Sequence, residues 1–349
     1  PEHKVTQIVR YEIQQQIPFS LDQIAMDYQL LDRTEAGGYE VMMAAIKVDV
    51  VDKQIEILQA VKRSIEIVDV SPLAAYNWLK HTGEFGDGDE CVALIDMGAT
   101  TTDIVIEREG QFRFTRPLNV GGNDITMAIG SAFGLNFTDA EKLKRERGFA
   151  PTGDPKVDGK GGEVIGAPLQ RLVGEIMRSF AYFRSLPGGG QINRVVLCGG
   201  GACLRNIIPF MQAQLGVEVR IAQPLAGLAI APTAQQVSDH PEQSCVVLGL
   251  ALRCCETVPL EINLIPPRVL EKARLKDQAF YWALSLLTLA LIFASVIPVK
   301  ANENKSVNER IRALKNQIRL YDPELAQGLQ VGAPIPSSQE VVDFQDAQD

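Results

Sequence analysis

The stretch ALIDMGATTTDIVI, residues 93–106, runs as a hydrophobic strand into a short polar turn and out along a second hydrophobic strand. The first strand delivers Asp96 to the turn. Gly98, Ala99 and Thr100 form the turn itself, where a glycine lets consecutive backbone N–H groups converge on phosphate oxygens. A carboxylate at Asp96 suits a Mg²⁺ ion or its bound water. An ordinary β-hairpin turn has the same local pattern, so this segment alone leaves both readings open.

Outward from it, residues 91–97, 102–107 and 112–118 read as three strands with tight connections. Residues 121–133 and 138–147 read as helices, 152–162 as a Gly-, Lys- and Asp-rich mobile loop, and 168–185 as a long helix. A second informative stretch, VVLCGGGACLRNIIPFMQAQLG, ends at Gly216. It is a short strand, then Gly199, Gly200 and Gly201, then a helix. Backbone without side chains can lie against a flat ligand, and a helix N-terminus favours negative charge. The G-x-G-x-x-G spacing of a dinucleotide fold is absent, and a plain strand-to-helix turn remains the alternative.

Upstream, residues 5–16 read as a helix ended by Pro18. Residues 25–32 and 39–48 are strands joined at Gly37-Gly38, 49–64 is helical, 65–70 a strand, 72–81 a helix and 84–89 a polar loop. Downstream, 218–222 is a strand, 224–242 mostly loop and 245–255 a helix. Hairpin strands followed by helices, twice over, predict an α/β layered fold.

The chain has 349 residues, 46% hydrophobic and 22% charged, with a formal net charge of -9. This composition excludes a wholly disordered chain. The acidic balance argues against a nucleic-acid binder, which needs a basic surface. No two of the three His are spaced like metal ligands, the six Cys fit no zinc or CxxC pattern, and the thiols read as reduced and mostly buried. Near the end, residues 279–299 carry no charge and would form about 31 Å of helix, the thickness of a bilayer core. A buried core helix is the alternative. Arg268, Lys272, Arg274 and Lys276 precede this run, and the weaker cluster of Lys300 and Lys305 follows it. The positive-inside rule then keeps residues 1–278 cytoplasmic and the C-terminus outside, in a periplasm.

Taken together, the two glycine-bearing turns resemble the phosphate and adenosine motifs of the actin/Hsp70/sugar-kinase ATPases, whose fold is actin-like (ribonuclease H-like). Within them the chain is similar to the PilM family of type IV pilus machines over about residues 4–255. Gln16-Ile17-Pro18-Phe19 matches a turn of its 1C subdomain, and residues 68–74 match the connecting segment. Val120-Gly121-Gly122-Asn123-Asp124-Ile125 matches a helix start, and residues 175–179 match a nucleotide-side helix. The resemblance implies ATP and Mg²⁺ as cofactors. It places Asp96 near the metal, and Gly98, Ala99, Thr100, Gly121 and Gly122 around the phosphates. Glu175 and Arg178 would reach ribose or adenine, and Gly199, Gly200 and Gly201 would pack on the nucleoside. A solvated helical pair is the other reading of Glu175 and Arg178.

Two departures follow. The family's earlier phosphate turn is expected before Pro1, so the first lobe is expected to be N-terminally truncated. Ser71 stands where catalytic relatives carry a water-orienting acid or amide, with Asp69 in play if the alignment slips, so slow or absent hydrolysis is expected.

The stretch EINLIPPRVLEKARLKDQ, residues 261–278, resembles the amino-terminal cytoplasmic motif of the PilN family, a single-span partner of PilM, through Asn263, Leu264, Ile265 and Pro266. A juxtamembrane linker is the alternative. The expected organisation is therefore 1–70 as a 1C-like subdomain, 71–255 as the rest of the core, 256–278 as a PilN-like peptide and linker, 279–299 as the span, and 300–349 as a periplasmic helix (302–320) and disordered tail (331–349). Expected partners are periplasmic alignment proteins of the PilN/PilO type, cytoplasmic pilus ATPases, the inner membrane and a second copy of the chain. Residues 256–262 reach at most about 24 Å. That shortness favours docking of the peptide into a neighbouring copy, because it must also keep Gln278 at the membrane. A superfamily kinase, an FtsA-like division tether and the actin-like arm of a type II secretion platform are the rival functions. No sugar pocket or clear base supports the first, and the unbroken apolar run argues against the amphipathic anchor of the second.

Overall fold

The computed structural model describes residues 2–33, 38–63, 65–86, 88 and 90–321. Gly37 of the expected hairpin turn, part of the 84–89 loop and the 331–349 tail lie outside them. The chain divides into two compact units, residues 1–266 and 267–349.

In the first unit the elements follow the order α1 (Glu2–Gln16), β1 (Ile24–Arg33), β2 (Tyr39–Lys47), α2 (Val48–Ala60), α3 (Ser71–His81), β3 (Cys91–Met97), β4 (Thr102–Arg108), β5 (Gln111–Leu118), α4 (Gly122–Phe133), α5 (Phe137–Arg147), α6 (Pro155–Ser185), β6 (Arg194–Cys198), α7 (Ile207–Leu215), β7 (Glu218–Ile221) and α8 (Cys245–Leu252). The three central hairpin strands form an antiparallel meander, and β6 and β7 add to β3 in parallel, giving the order β5-β4-β3-β6-β7. The middle strands are buried on both faces, which is why they read as unbroken apolar runs. With a period of two, Ala93, Ile95 and Met97 face a core shared with α4, α6 and α7. Val92 and Leu94 face a second core shared with α3 and α8. Separately, β1 and β2 pair as an antiparallel hairpin, whose Ile24 packs with Val9 of α1.

Three sequence expectations for this unit are corrected. Residues 152–162 are not a loop throughout. Asp154 caps α6 through the Lys156 N–H at 2.9 Å, and the helix absorbs the glycines with a kink at Gly159, where φ is 50°. Residues 65–70 form no ladder strand. Their backbone is instead held by the far end of the unit: Val68 N–H donates to Asn263 Oδ1 at 3.0 Å, and Leu264 N–H donates to Val68 O at 2.7 Å.

The third correction concerns where the Asn263 peptide docks. The expectation favoured a neighbouring copy, whereas the structure seats the peptide on its own chain. Asn263 N–H donates to Asp27 Oδ2 at 2.8 Å, and Glu261 N–H to Gln29 Oε1 at 2.7 Å, both on β1. Asn77 of α3 exchanges two hydrogen bonds with the Leu260 backbone, at 2.8 and 3.0 Å. Val258, Leu260, Ile262 and Leu264 are buried in the α3–α8 core. The short 256–262 link suffices because the groove lies beside the end of α8.

The second unit contains α9 (Pro267–Tyr321), a single helix of 55 residues with Pro298 inside it. The expected separate helix over 302–320 is the continuation of this one. From Tyr281 to Val299 every side chain is exposed, and the run is apolar on all faces. It is long and apolar enough to cross a membrane.

Candidate functional site

The site is built where three backbone turns meet at the end of the sheet. Register places Asp96 opposite Asp103 on β4 and beside Cys198 on β6. The turn after β3 is stitched to the start of α4, with Gly122 N–H donating to Gly98 O at 2.9 Å and Asn123 N–H to Ala99 O at 2.7 Å. Gly121 is required by this closeness, since a Cβ there would lie 2.6 Å from Ala99 O. Its own N–H is capped by Asp124 Oδ2 at 2.9 Å, and Arg171 of α6 pairs with the same carboxylate. The third turn begins at Gly199, with φ of 81°. A Cβ there would lie 2.2 Å from Asp96 Oδ1. The third turn is therefore shaped around the carboxylate of the first.

These turns open onto a cleft of 310 Å³ that brings together Gly98, Ala99, Gly122, Gly200 and Gly201. Asp96, Thr100, Gly121 and Gly199 are next to these residues in the chain but not among the lining; Gly121 is buried, Asp96 and Gly199 half-buried, and Thr100 exposed. Glu175 and Arg178 are not among the lining residues; they pair with each other on α6. Ser71 and Asp69 are likewise absent from the lining.

Sequence reasoning passed over the charged residues that line the cleft with the turns. Glu141, Lys144 and Arg145 of α5 line the cleft, together with Arg205, His240 and Gln243. Lys144 Nζ bonds to Glu141 Oε2 at 2.7 Å, Gly122 O at 3.0 Å and Thr126 Oγ1 at 2.9 Å, so it ties α5 to the α4 N-terminus. Arg145 Nε lies 2.8 Å from Glu141 Oε1. Burial alone would raise the Glu141 carboxyl, but the bonds from Lys144, Thr126 and Arg145 prevail and hold it at about 2. The i, i+3, i+4 spacing of these three residues was the available signal. Lys144 is held by three bonds while the Arg145 side chain is largely exposed, and this Lys and Arg suit an anionic ligand beside the α4 N-terminus.

The Asp96 and Asp103 carboxyls behave differently. Burial raises Asp96, partly offset by a bond from Cys198. Burial and the adjacent Asp96 charge push Asp103 up to about 6. Two close, raised carboxyls suit a hard divalent cation such as Mg²⁺. In its absence the native state holds a proton at Asp103 that the unfolded chain has lost. Stability must then fall as pH rises from about 4 to about 6. We expect Asp103→Asn to flatten that fall. Thermal melts at pH 4, 6 and 8 without divalent ions would check it, and parallel wild-type and variant curves would contradict it.

Comparison with known proteins places this geometry in context. The family model described as type IV pilus assembly protein PilM matches residues 2–255. A solved PilM–PilN type IV pilus biogenesis complex aligns with a TM-score of 0.63 and 27% identity, covering 74% of this chain and 74% of that one. Cell division protein FtsA of Bacillus subtilis (strain 168) is 29% identical over 192 residues, 48% of this chain and 42% of that protein. FtsA of Streptococcus pneumoniae is 29% identical over 179 residues, 46% of this chain and 37% of that protein. The match thus spans less than half the length of these curated relatives.

Proposed function

The chain belongs to the PilM family of type IV pilus assembly proteins, with an actin-like fold, and from that membership we propose that it is a nucleotide-binding scaffold of the inner-membrane pilus platform. The observation that carries this reading is the cleft, lined together by Gly98, Ala99, Gly122, Gly200, Gly201, Lys144 and Arg145. ATP would be held with its phosphates at the two stitched turns and its nucleoside against the glycines after β6. Mg²⁺ would sit by Asp96 and Asp103. Nucleotide would act by biasing the population of closed and open forms. Turnover is expected to be negligible, because neither Asp69 nor Ser71 reaches the cleft.

Coupling across the membrane would run through the chain itself. Asn263, Leu264, Ile265 and Pro266 resemble the PilN peptide, and the solved relative is a complex of PilM with PilN. Here the resembling segment is seated on its own β1 and 65–70 segment. The α9 helix would then cross the inner membrane, with the N-terminal unit cytoplasmic and the C-terminus periplasmic. Periplasmic alignment proteins of the PilN/PilO type and cytoplasmic pilus ATPases would be its partners, in fimbrium assembly and twitching motility.

Calorimetric titration with Mg-ATP tests the core of the reading. Asp96→Ala is expected to weaken binding about 10-fold or more, the order of one lost charge-assisted contact. A phosphate-release assay should show almost no turnover in wild type. Absence of ATP binding, or brisk hydrolysis in wild type, would overturn the corresponding half.

A further inference from the structure

Beside the cleft, three unlike donors meet. Cys203, at the end of the short turn after Gly199, has its Sγ 2.6 Å from Glu242 Oε1. His240 Nδ1 lies 3.5 Å from the same oxygen. One donor atom from each of the three residues falls within 4.8 Å of the others. Ligands at ~2.0–2.3 Å from a common ion stand roughly 3–4 Å apart, so the His240–Glu242 separation already fits and the Cys203 thiol, now hydrogen-bonded to Glu242, would open by about 1 Å as it loses its proton to the metal.

The cluster is held in place from outside. Gly199 N–H donates to Glu242 O at 2.9 Å, which clamps the segment bearing His240 and Glu242 to the turn bearing Cys203. Gln243 N–H donates to His240 O at 3.2 Å, and Gln243 Nε2 reaches Cys203 Sγ at 3.2 Å. Glu242 is 7% exposed. A carboxylate that deep needs a cation or a full set of donors. Its near neighbours here are a thiol and an imidazole, which serve better as metal ligands than as counter-charges. His240 and Cys203 line the cleft wall, so a fourth coordination position would face solvent or a bound ligand.

We propose that Cys203, His240 and Glu242 form a binding site for a borderline-soft divalent cation, Zn(II) being the best match. The donor set decides the ion class. Mg²⁺ and Ca²⁺ take oxygen ligands, whereas thiolate with imidazole selects Zn(II) and its neighbours in the first transition row. Three protein ligands leave one position open. Binding releases the Cys203 thiol proton as the sulfur–metal bond forms. The ion would brace the Gly200–Gly201 wall without needing nucleotide, so the proposal stands apart from the ATP reading.

The test uses the full chain in detergent, stripped with chelator and titrated with Zn²⁺ against a chromophoric competitor. One Zn²⁺ per chain is expected, with a raised melting temperature. His240→Ala should weaken uptake beyond the about 10–100-fold cost of outer-shell changes. Its side chain is 63% exposed, so the variant should keep the fold. With Co²⁺ as probe, Cys203→Ser should remove the thiolate charge-transfer band. Three results would overturn the site: no stoichiometric uptake, uptake indifferent to both substitutions, or uptake lost only when the exposed Cys254 and Cys255 are changed to Ser.

Discussion

Gly249→Ala is expected to unfold most of the N-terminal unit at temperatures the parent chain survives. Gly249 lies in α8 where that helix crosses α3. A Cβ there would sit 1.8 Å from Ala74 O and 2.4 Å from its carbonyl carbon. Both are backbone atoms, so no rotamer change relieves the clash. Helix α3 has no slack to yield, being buried from Pro72 to Leu79 against Val92, Leu94 and Val105 of the sheet. Moving α8 outward would instead open the core that also seats Leu260 and Leu264. Overpacking a rigid site costs about 1–3 kcal/mol when neighbours can adjust and upward of about 4 when they cannot. At ~2–4 °C per kcal/mol this lowers Tm by roughly 10 °C or more. Gly174→Ala in α6 is the control. Nothing lies within 4 Å of its added Cβ, and alanine is the better helix former by up to ~1 kcal/mol. Equal melting of the two variants would show that α3 and α8 do not meet as closely as described.

That crossing was invisible in the sequence, whereas the sheet was not. The run from residue 91 to 118 shows two polar turns between two largely apolar strands and a third of mixed polarity, and local chemistry alone fixes such a meander. Gly199 to Gly201 were legible for the same reason. What the sequence left open is which way a face points. Glu175 with Arg178 and Glu141 with Lys144 are both helical charge pairs at i, i+3. Only packing decides that α5 turns its pair into the cleft while the α6 pair stays outside. Residues 65–70 have strand composition, but their backbone is met by the Asn263 side chain and the Leu264 N–H from nearly two hundred positions later. Cys203, His240 and Glu242 lie in two separate segments joined by the Gly199–Glu242 bond, so no spacing rule could pair them. The direction of peptide docking depended on where the groove stands relative to the end of α8, a distance that chain length bounds but does not fix.

Arg253→Met is expected to be the most damaging change among the charged residues, and its pattern of loss tests how the peptide is held. Arg253 follows α8 directly. Its Nη1 lies 2.8 Å from Asp69 Oδ2, with side-chain exposures of 8% and 0%, and it also donates to Ile262 O. One guanidinium thus joins the end of α8, the 65–70 segment and the docked peptide. Burial raises the Asp69 carboxyl, and the bond from Arg253 opposes that rise. Removing the arginine leaves a buried charge with its chief counter-ion gone, at about 3–5 kcal/mol. A carboxyl whose pKa is raised in the folded state is penalised only once it ionises, so the loss should be large at pH 7–8 and shrink on acidification. Adding Asp69→Asn should recover much of it, because the buried charge then disappears. The same helix begins just after Glu242, whose carbonyl holds Gly199 beside the cleft. A loosened end at Arg253 should therefore speed hydrogen exchange at Leu264 N–H, which bonds to Val68 O, before it affects the strands of the sheet. If Arg253→Met melts with the parent chain at pH 8, or if Asp69→Asn deepens the loss, the buried pair is not what fastens the peptide.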